Sequence, residues 1–333
     1  MPSIKDVAKL AGVSIATVSR VVNNLDVVSE ETRRKIEWAV KRLGYNPNLA
    51  ARSLKRQSAK LLGLLVPDIE NPFYSTLAKY MEAEASSAGY SLILCNTDGK
   101  HSSEDHYLKL LSGRLVDGVF VCRSSIKESI LPGTGGKKLR MLILEKASES
   151  DHRRTVMVDN DMIGRLAARH FIENGHTRLA CIMENREMLP FIRRSKAFVE
   201  EAAEHGVKVP PSSVLVAGPS ISDGRVAVRK LLLKGKKSRP TAVYCTNDIL
   251  AFGAMQEAMA DGLSIPRDLS VIGTDDVRQS SYMFPPLTTI RQPFEEIARK
   301  ALKILLSGDD ESGDDIILAP ELKVRESTGP APA

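Results

Sequence analysis

From residue 61 onward the chain alternates between short apolar runs and longer amphipathic stretches, and this alternation limits the possible folds more than any other feature. The runs at 61–67, 90–97, 117–122, 140–145, 178–184, 214–217, 242–246 and 269–273 are short and apolar, rich in Val, Leu and Ile. Strands that read this way are buried on both faces. Between them, the stretches 75–88, 104–113, 161–174, 193–205, 223–234 and 249–261 have helical character. An apolar strand that returns to its sheet through a helix is a parallel strand, and the helix covers the sheet face. Two sets of such units predict an α/β body of two lobes, each a doubly wound parallel sheet. Ligands of such sheets bind at the carboxyl ends of the strands, so two facing lobes enclose a cleft there.

The first sixty residues are built differently. They hold 12 Lys and Arg against 5 Asp and Glu, whereas the remaining 273 residues carry 35 basic and 36 acidic side chains. All of the chain's formal charge of +6 therefore sits at the front. No acid falls between Asp6 and Asp26 or between Glu37 and Asp68. Acid-free cationic stretches suit a polyphosphate surface, although charge alone equally describes a solvated N-terminus.

Helical spacing resolves three short helices in this region. Ser3 and Asp6 form a capping-box pattern ahead of Ile4, Val7, Ala8 and Ala11. Gly12 supplies the tight turn, and Ser14 opens a second helix from Ile15 to about Asn23 with Val18 and Val21 or Val22 inward. A third starts at Ser29, places Glu30 and Glu31 in its first turn, buries Ile36, Val40 and Leu43, and stops at Gly44. This is a helix-turn-helix, whose second helix would enter the DNA major groove. Arg20 can grip a guanine edge in two places or fall back to a phosphate, and Ser14, Thr17 and Ser19 suit phosphate oxygens. Residues 47–60 have helical propensity but are too short to be helical alone, which predicts a hinge that orders on docking.

The residues Ile4-Lys5-Asp6-Val7-Ala8, Ala11-Gly12-Val13-Ser14, Thr17-Val18-Ser19-Arg20-Val21, Val28-Ser29, Thr32-Arg33 and Leu43-Gly44-Tyr45 closely resemble the LacI/GalR family of bacterial transcription regulators. Asn71-Pro72-Phe73, Asp159-Asn160, Asn247-Asp248 and Gly273-Thr274-Asp275-Asp276 extend that likeness over residues 61–328, whose counterpart is a periplasmic-binding-protein-like body. The resemblance implies four parts: a head at 1–46, a hinge at 47–60, an effector-binding and dimerising body at 61–328, and a disordered tail at 329–333. Within the body it implies an N-lobe of about 61–160 plus 293–328 and a C-lobe of about 161–290. In the head and hinge it implies that DNA is read by Ser14, Ile15, Ala16, Thr17, Ser19, Arg20, Asn23, Ala51, Leu54 and Lys55. Ile15 and Ala16 can read only by shape and apolar contact, and Leu54 matches a minor-groove wedge. Phe73, Glu145, Arg194, Asn247, Asp275 and Gln292 would hold a small sugar-like effector.

Two positions depart from the family pattern. Glu145-Lys146 stands where many members have Asp-Arg, and Ile221 where some have an aromatic. Arg123, Lys146, Arg193 and Arg194 hint at an acidic effector but are equally readable as surface charge. His176 reads as a capping residue at a helix-to-strand turn, Asp248 and Asp276 as helix caps, and 133–138 as a flexible connection that lacks phosphate-loop spacing.

Other chemistries lack their parts. There is no GxSxG, no metal-spaced His set and no nucleophile with an evident base, so the chain is expected to be neither an enzyme nor a metalloprotein and to need no cofactor. Cys95, Cys122, Cys181 and Cys245 are far apart and read as reduced core thiols. With no apolar run of membrane length and no secretory leader, a cytoplasmic location is expected. No leucine heptads follow the body, so the expected assembly is a homodimer on a pseudo-palindromic operator. The competing reading is a sugar-binding receptor whose basic head serves another purpose.

Overall fold

The computed structural model describes residues 2–22, 28–45, 58–112, 115–122, 139–146, 153–185, 187–235, 238–308 and 314–332. The chain divides into two compact units, Met1–Lys60 and Leu61–Ala333.

In the first unit, α1 (Ile4–Ala11), α2 (Ile15–Val22) and α3 (Glu30–Leu43) surround a small core of Val7, Ala8, Val18, Val21, Ile36 and Ala39. Ser3 caps α1 reciprocally: its backbone N–H and its hydroxyl donate to Asp6 Oδ2, each at 2.8 Å. Gly12 ends α1 at φ 65°, a left-handed conformation that lets α2 begin within three residues. Ser29 Oγ accepts from Thr32 N at the start of α3. Ala39 fills the centre of this core, while Val40 and Leu43 pack at its edge, half-buried.

The second unit carries the predicted two lobes. Its N-lobe sheet has the order β2-β1-β3-β4, all parallel, built from β1 (Leu61–Val66), β2 (Ser91–Asn96), β3 (Gly118–Val121) and β4 (Met141–Ile143). A parallel bridge from Ile143 to Thr155 extends it to β5 (Val156–Val158), which pairs with β11 (Ile316–Leu318). The helices α4 (Pro72–Ser87), α5 (His101–Ser112) and α10 (Phe294–Ser307) cover it.

The C-lobe sheet runs β12-β10-β9-β8-β6-β7. Its strands are β6 (Leu179–Glu184), β7 (Val214–Ala217), β8 (Ala242–Cys245), β9 (Ser270–Asp275), β10 (Thr288–Arg291) and β12 (Glu321–Lys323). Helices α6 (Asn160–Glu173) and α7 (Leu189–Glu204) pack as one pair, and α8 (Ile221–Leu232) and α9 (Asp248–Ala260) as another.

Two expectations need correction. The C-lobe sheet is not wholly parallel, because β12 runs antiparallel to β10, closing an edge that would otherwise expose unpaired backbone. The chain crosses between lobes after β5, after β10 and again after β11, so residues 319–332 belong to the C-lobe and not to the N-lobe. Nor are residues 329–332 a disordered tail. Val271 N donates to Ser327 O (2.8 Å), Ala331 N to Asn174 O (2.8 Å), and the buried His176 ring reaches Gly329 O (3.0 Å). His176 also bonds Thr241 Oγ1 and Ser270 Oγ, so it clamps the end of the chain; the cap of α6 is Asn174. All four cysteines are buried free thiols.

Candidate functional sites: a helix face and an interlobe cleft

The outward face of α2 is polar at its start and apolar in its first turn. Ser14 Oγ accepts from Thr17 N (3.1 Å) and hydrogen-bonds Thr17 Oγ1 (2.8 Å), which fixes both hydroxyls at the helix N-terminus. Ile15 is 45% exposed although it is a β-branched residue that would gain from burial. Ala16 and Arg20 are exposed beside it, and Thr17 and Ser19 are half-buried. Five of the six positions from 14 to 20 that were singled out thus carry oxygen, methyl or methylene groups within reach of a surface, and the sixth, Arg20, carries the charge. Asn23, Ala51, Leu54 and Lys55 lie outside the described residues, as do Arg123 and the loop 133–138.

In the body, all six predicted effector residues converge. Phe73, Glu145, Arg194, Asn247, Asp275 and Gln292 line one small enclosure with Asn71 and Phe191. Its open space is about 10 Å³, about one water. Phe73 and Arg194 come from helices α4 and α7, and the other four arrive from the carboxyl ends of strands. Glu145 lies just past β4, Asn247 just past β8, Asp275 ends β9, and Gln292 follows β10 at the crossover.

Arg194 is the central donor and is 2% exposed. Its Nε donates to Asn160 Oδ1 (2.7 Å) and its Nη1 to Thr246 O (2.8 Å). Its remaining edge points at Glu145 Oε1 (3.8 Å), and Asp275 Oδ1 lies 4.0 Å from Nη1. The guanidinium carbon also sits 5.6 Å from the Phe191 ring, one helical turn back along α7.

Gln292 Nε2 donates to Asp275 Oδ1 at 2.6 Å, leaving Oδ2 of that carboxyl for other partners. Burial pushes the Asp275 carboxyl well above the usual carboxylate range, with Arg194 pulling it back. The backbone there is also unusual: Asp275 has φ 120° and Asp276 φ 55°, conformations that side-chain-bearing residues rarely adopt. Asp276 is held there by ion pairs with Arg291 and Arg325, and its N–H donates to Thr289 Oγ1 (3.3 Å).

Asn247 does two jobs. Its Oδ1 accepts from Leu250 N (2.9 Å), capping α9, and its Nδ2 donates to the buried Glu184 (2.6 Å). With the oxygen committed, the amide presents its second N–H as the group free to meet a ligand. On the N-lobe side, Asn71 caps α4 by accepting from Phe73 N (3.0 Å), and the Phe73 ring packs edge-on to Tyr74 and tilted against Phe294.

The arrangement alters several expectations. Lys146 pairs with Asp315 (2.6 Å) and Arg193 with Asp161 (2.9 Å), so of the four cations that hinted at an acidic effector Arg194 is the one among the described residues that lines the enclosure, and Arg123 lies outside them. Asp248 and Asp276 cap no helix. Asp248 is fully buried and accepts from Val277 N (3.0 Å), Ser280 Oγ (2.6 Å) and Thr289 Oγ1. Ile221 is 38% exposed at the start of α8 and is not among the lining residues. Sequence reasoning missed Phe191, Glu184 and Asn160. Phe191 was findable from its spacing of three residues from Arg194 on one helix face, and Glu184 as a charge at the carboxyl end of an apolar strand.

Comparison with known proteins agrees with this architecture. Residues 3–48 match the model for bacterial regulatory proteins of the lacI family, and residues 168–328 match a periplasmic binding protein-like domain. The HTH-type transcriptional repressor PurR of Aliivibrio fischeri (strain MJ11) is 37% identical over 307 residues, covering 92% of this chain and 91% of the relative. The HTH-type transcriptional regulator DegA of Bacillus subtilis (strain 168) is 34% identical over 334 residues, covering 98% of each chain. Among solved structures, the Lac repressor dimer bound to operator and the anti-inducer ONPF has a TM-score of 0.84 at 25% identity, covering 98% of this chain and 99% of that one. The regulator CelR in complex with cellobiose has a TM-score of 0.72 at 27% identity, covering 98% of this chain and 100% of that one. These relatives are transcription regulators and not enzymes, and on this identity, sustained over nearly the whole chain, the protein belongs to the LacI family of bacterial regulatory proteins.

Proposed function

We propose that the protein is a homodimeric repressor whose grip on a pseudo-palindromic operator is set by a small, uncharged, hydroxyl-rich effector held between the lobes. The observation that carries this reading is the convergence of donors and acceptors from both lobes around two aromatic rings. Arg194 and Asn247 donate, Asp275 and Glu145 accept, and Phe73 and Phe191 supply flat apolar faces. A polyol needs that mixture, since each hydroxyl both donates and accepts while the C–H face of its ring prefers an apolar wall. The complexes of relatives with cellobiose and with ribose support a sugar-like ligand. Dimerisation is supported by the Lac repressor dimer on its operator, and by Phe284, 85% exposed, and Leu94 on edge strand β2, 45% exposed, as apolar surface that a second copy would cover.

In this reading DNA is contacted by Ser14, Ile15, Ala16, Thr17, Ser19, Arg20 and Asn23 of the head and by Ala51, Leu54 and Lys55 of the hinge. Lobe closure on the effector repositions the hinges. A hundredfold change in bound population needs about 3 kcal/mol of differential binding. The test is a thermal-shift screen of sugars, sugar acids and nucleobases, followed by operator binding with each hit. A sugar is expected to raise the melting temperature, to change operator affinity at least about tenfold, and to lose both effects in Asp275→Asn. A sugar acid that outcompetes its neutral parent would sink the uncharged-ligand reading.

A further inference from the structure

We propose that a second ligand site lies on the outer side of the lobe crossover and takes a small metabolite bearing a phosphate or carboxylate group. A groove of about 830 Å³ runs there between the N-lobe helices α4 and α10 and the C-lobe turn that follows β9. That volume lies within the range of small-ligand sites, whereas the enclosure around Arg194 holds about 10 Å³.

The charges in the groove decide what it attracts. Asp276 is taken up by Arg291 and Arg325, and Glu296 is shared by Arg299 and Lys300. Two lining cations remain outside any ion pair among the described residues. Lys79 stands on α4 in the N-lobe, and Arg278, on the C-lobe turn, touches only the hydroxyl and ring of its neighbour Tyr282. Both are exposed. Glu295 is the single lining acid in the same position, so the surplus in the groove is positive. The apolar part of the groove is flat: the Tyr80 and Phe294 rings stack with 5° between their planes. One cation from each lobe beside an aromatic platform fits an anionic group carried on a compact organic body.

Such a ligand would act on the cleft as well. Gln292 lines both the groove and the cleft, where its amide holds Asp275. Phe294, at the edge of the groove, packs against Phe73 with 5.3 Å between ring centroids. An anion gripped by both lobes favours one interlobe arrangement over others, which is the requirement for coupling to any second ligand.

The site is testable on the full chain without any knowledge of the effector. Lys79 serves as the reporter: its acetylation rate by an amine-reactive reagent is followed by mass spectrometry at fixed ionic strength. The probes are inorganic phosphate, ribose 5-phosphate, ribose and citrate, each at millimolar concentration. At least fivefold protection by ribose 5-phosphate or by citrate is expected, with none from ribose, and the one that protects assigns the anionic group. Arg278→Ala, an exposed position whose loss should leave the melting temperature unchanged, is expected to abolish the protection. Equal labelling with every probe overturns the proposal. So does protection that survives Arg278→Ala, or protection by inorganic phosphate equal to that by the organic anions, which means an adventitious ion only.

Discussion

Asp248 is a buried carboxyl with three hydrogen-bond donors around it and, among the described residues, no cation in an ion pair with it. Loss of solvation therefore outweighs the donors and raises its pKa to about 7. A folded-state value above the unfolded one means that the unfolded chain releases this proton first as the pH rises. The contribution of Asp248 to stability is thus fully present below about pH 4 and is lost progressively toward pH 7, by up to about 4 kcal/mol. Asp248→Asn cannot ionise, so its unfolding free energy is expected to fall less than the wild type's between pH 4 and 7 in urea titrations. Parallel profiles for the two proteins would show that Asp248 is ionised in the fold. At this scale the sequence was partly legible. Phe73, Asn247 and Asp275 were identified because short motifs surround them, and Arg194 through the family resemblance alone, whereas the roles of Asp248 and Asp276 were misread as caps. A helix cap is a local event that sequence can suggest, but the partners of these two carboxyls lie 15 to 49 residues away along the chain.

At the scale of elements, α6 and α7 cross so closely that a Cβ on Gly164 would lie 2.1 Å from the carbonyl oxygen of Arg194 and 2.8 Å from Phe198 N. Alanine would gain about 1 kcal/mol of helix propensity there, yet backbone atoms cannot yield as a side chain can. Gly164→Ala is therefore expected to destabilise the protein by about 3 kcal/mol in urea unfolding and, by displacing α7, to weaken effector binding through Arg194. Increased stability in that variant would refute the close crossing. The helix pair was legible as two helices, but its contact was not, since nothing in the spacing of α6 says which face meets α7. All six helices read from the body sequence begin one to four residues earlier in the structure. The first turns of α4 and α7 carry Pro72 and Pro190, and those of α5 and α6 open on polar residues, so apolar periodicity starts late. The strands β5, β10, β11 and β12 and the helix α10 escaped notice because all of them flank the lobe crossovers, where the alternation breaks.

For the whole molecule, charge separation sets the expected behaviour on DNA. A pair of cationic heads making roughly six to ten phosphate contacts loses about 10³ to 10⁵ in operator affinity between 50 and 200 mM salt. Leu54→Ala adds or removes no charge, so it should lower operator affinity at least about tenfold while leaving the slope of log affinity against log salt unchanged. Filter binding or fluorescence anisotropy across a salt series measures both quantities. An unaltered affinity removes the leucine wedge from the mechanism, and a flat slope in the wild type removes the phosphate grip itself.

What the sequence determined by itself is what depends on near neighbours: the three head helices with their turn at Gly12, the alternation that makes parallel lobes, the placing of positive charge at the front, and the motif residues of the cleft. Only the tertiary structure decided that residues 319–332 cross back to close the C-lobe sheet, that Arg193 and Lys146 spend their charge on Asp161 and Asp315, and that Phe191 and Glu184 complete the site. Each of these joins residues far apart along the chain, or on helix faces whose direction packing alone sets. Local propensity carries no information about such partners, because their free energy appears only once both lobes are assembled.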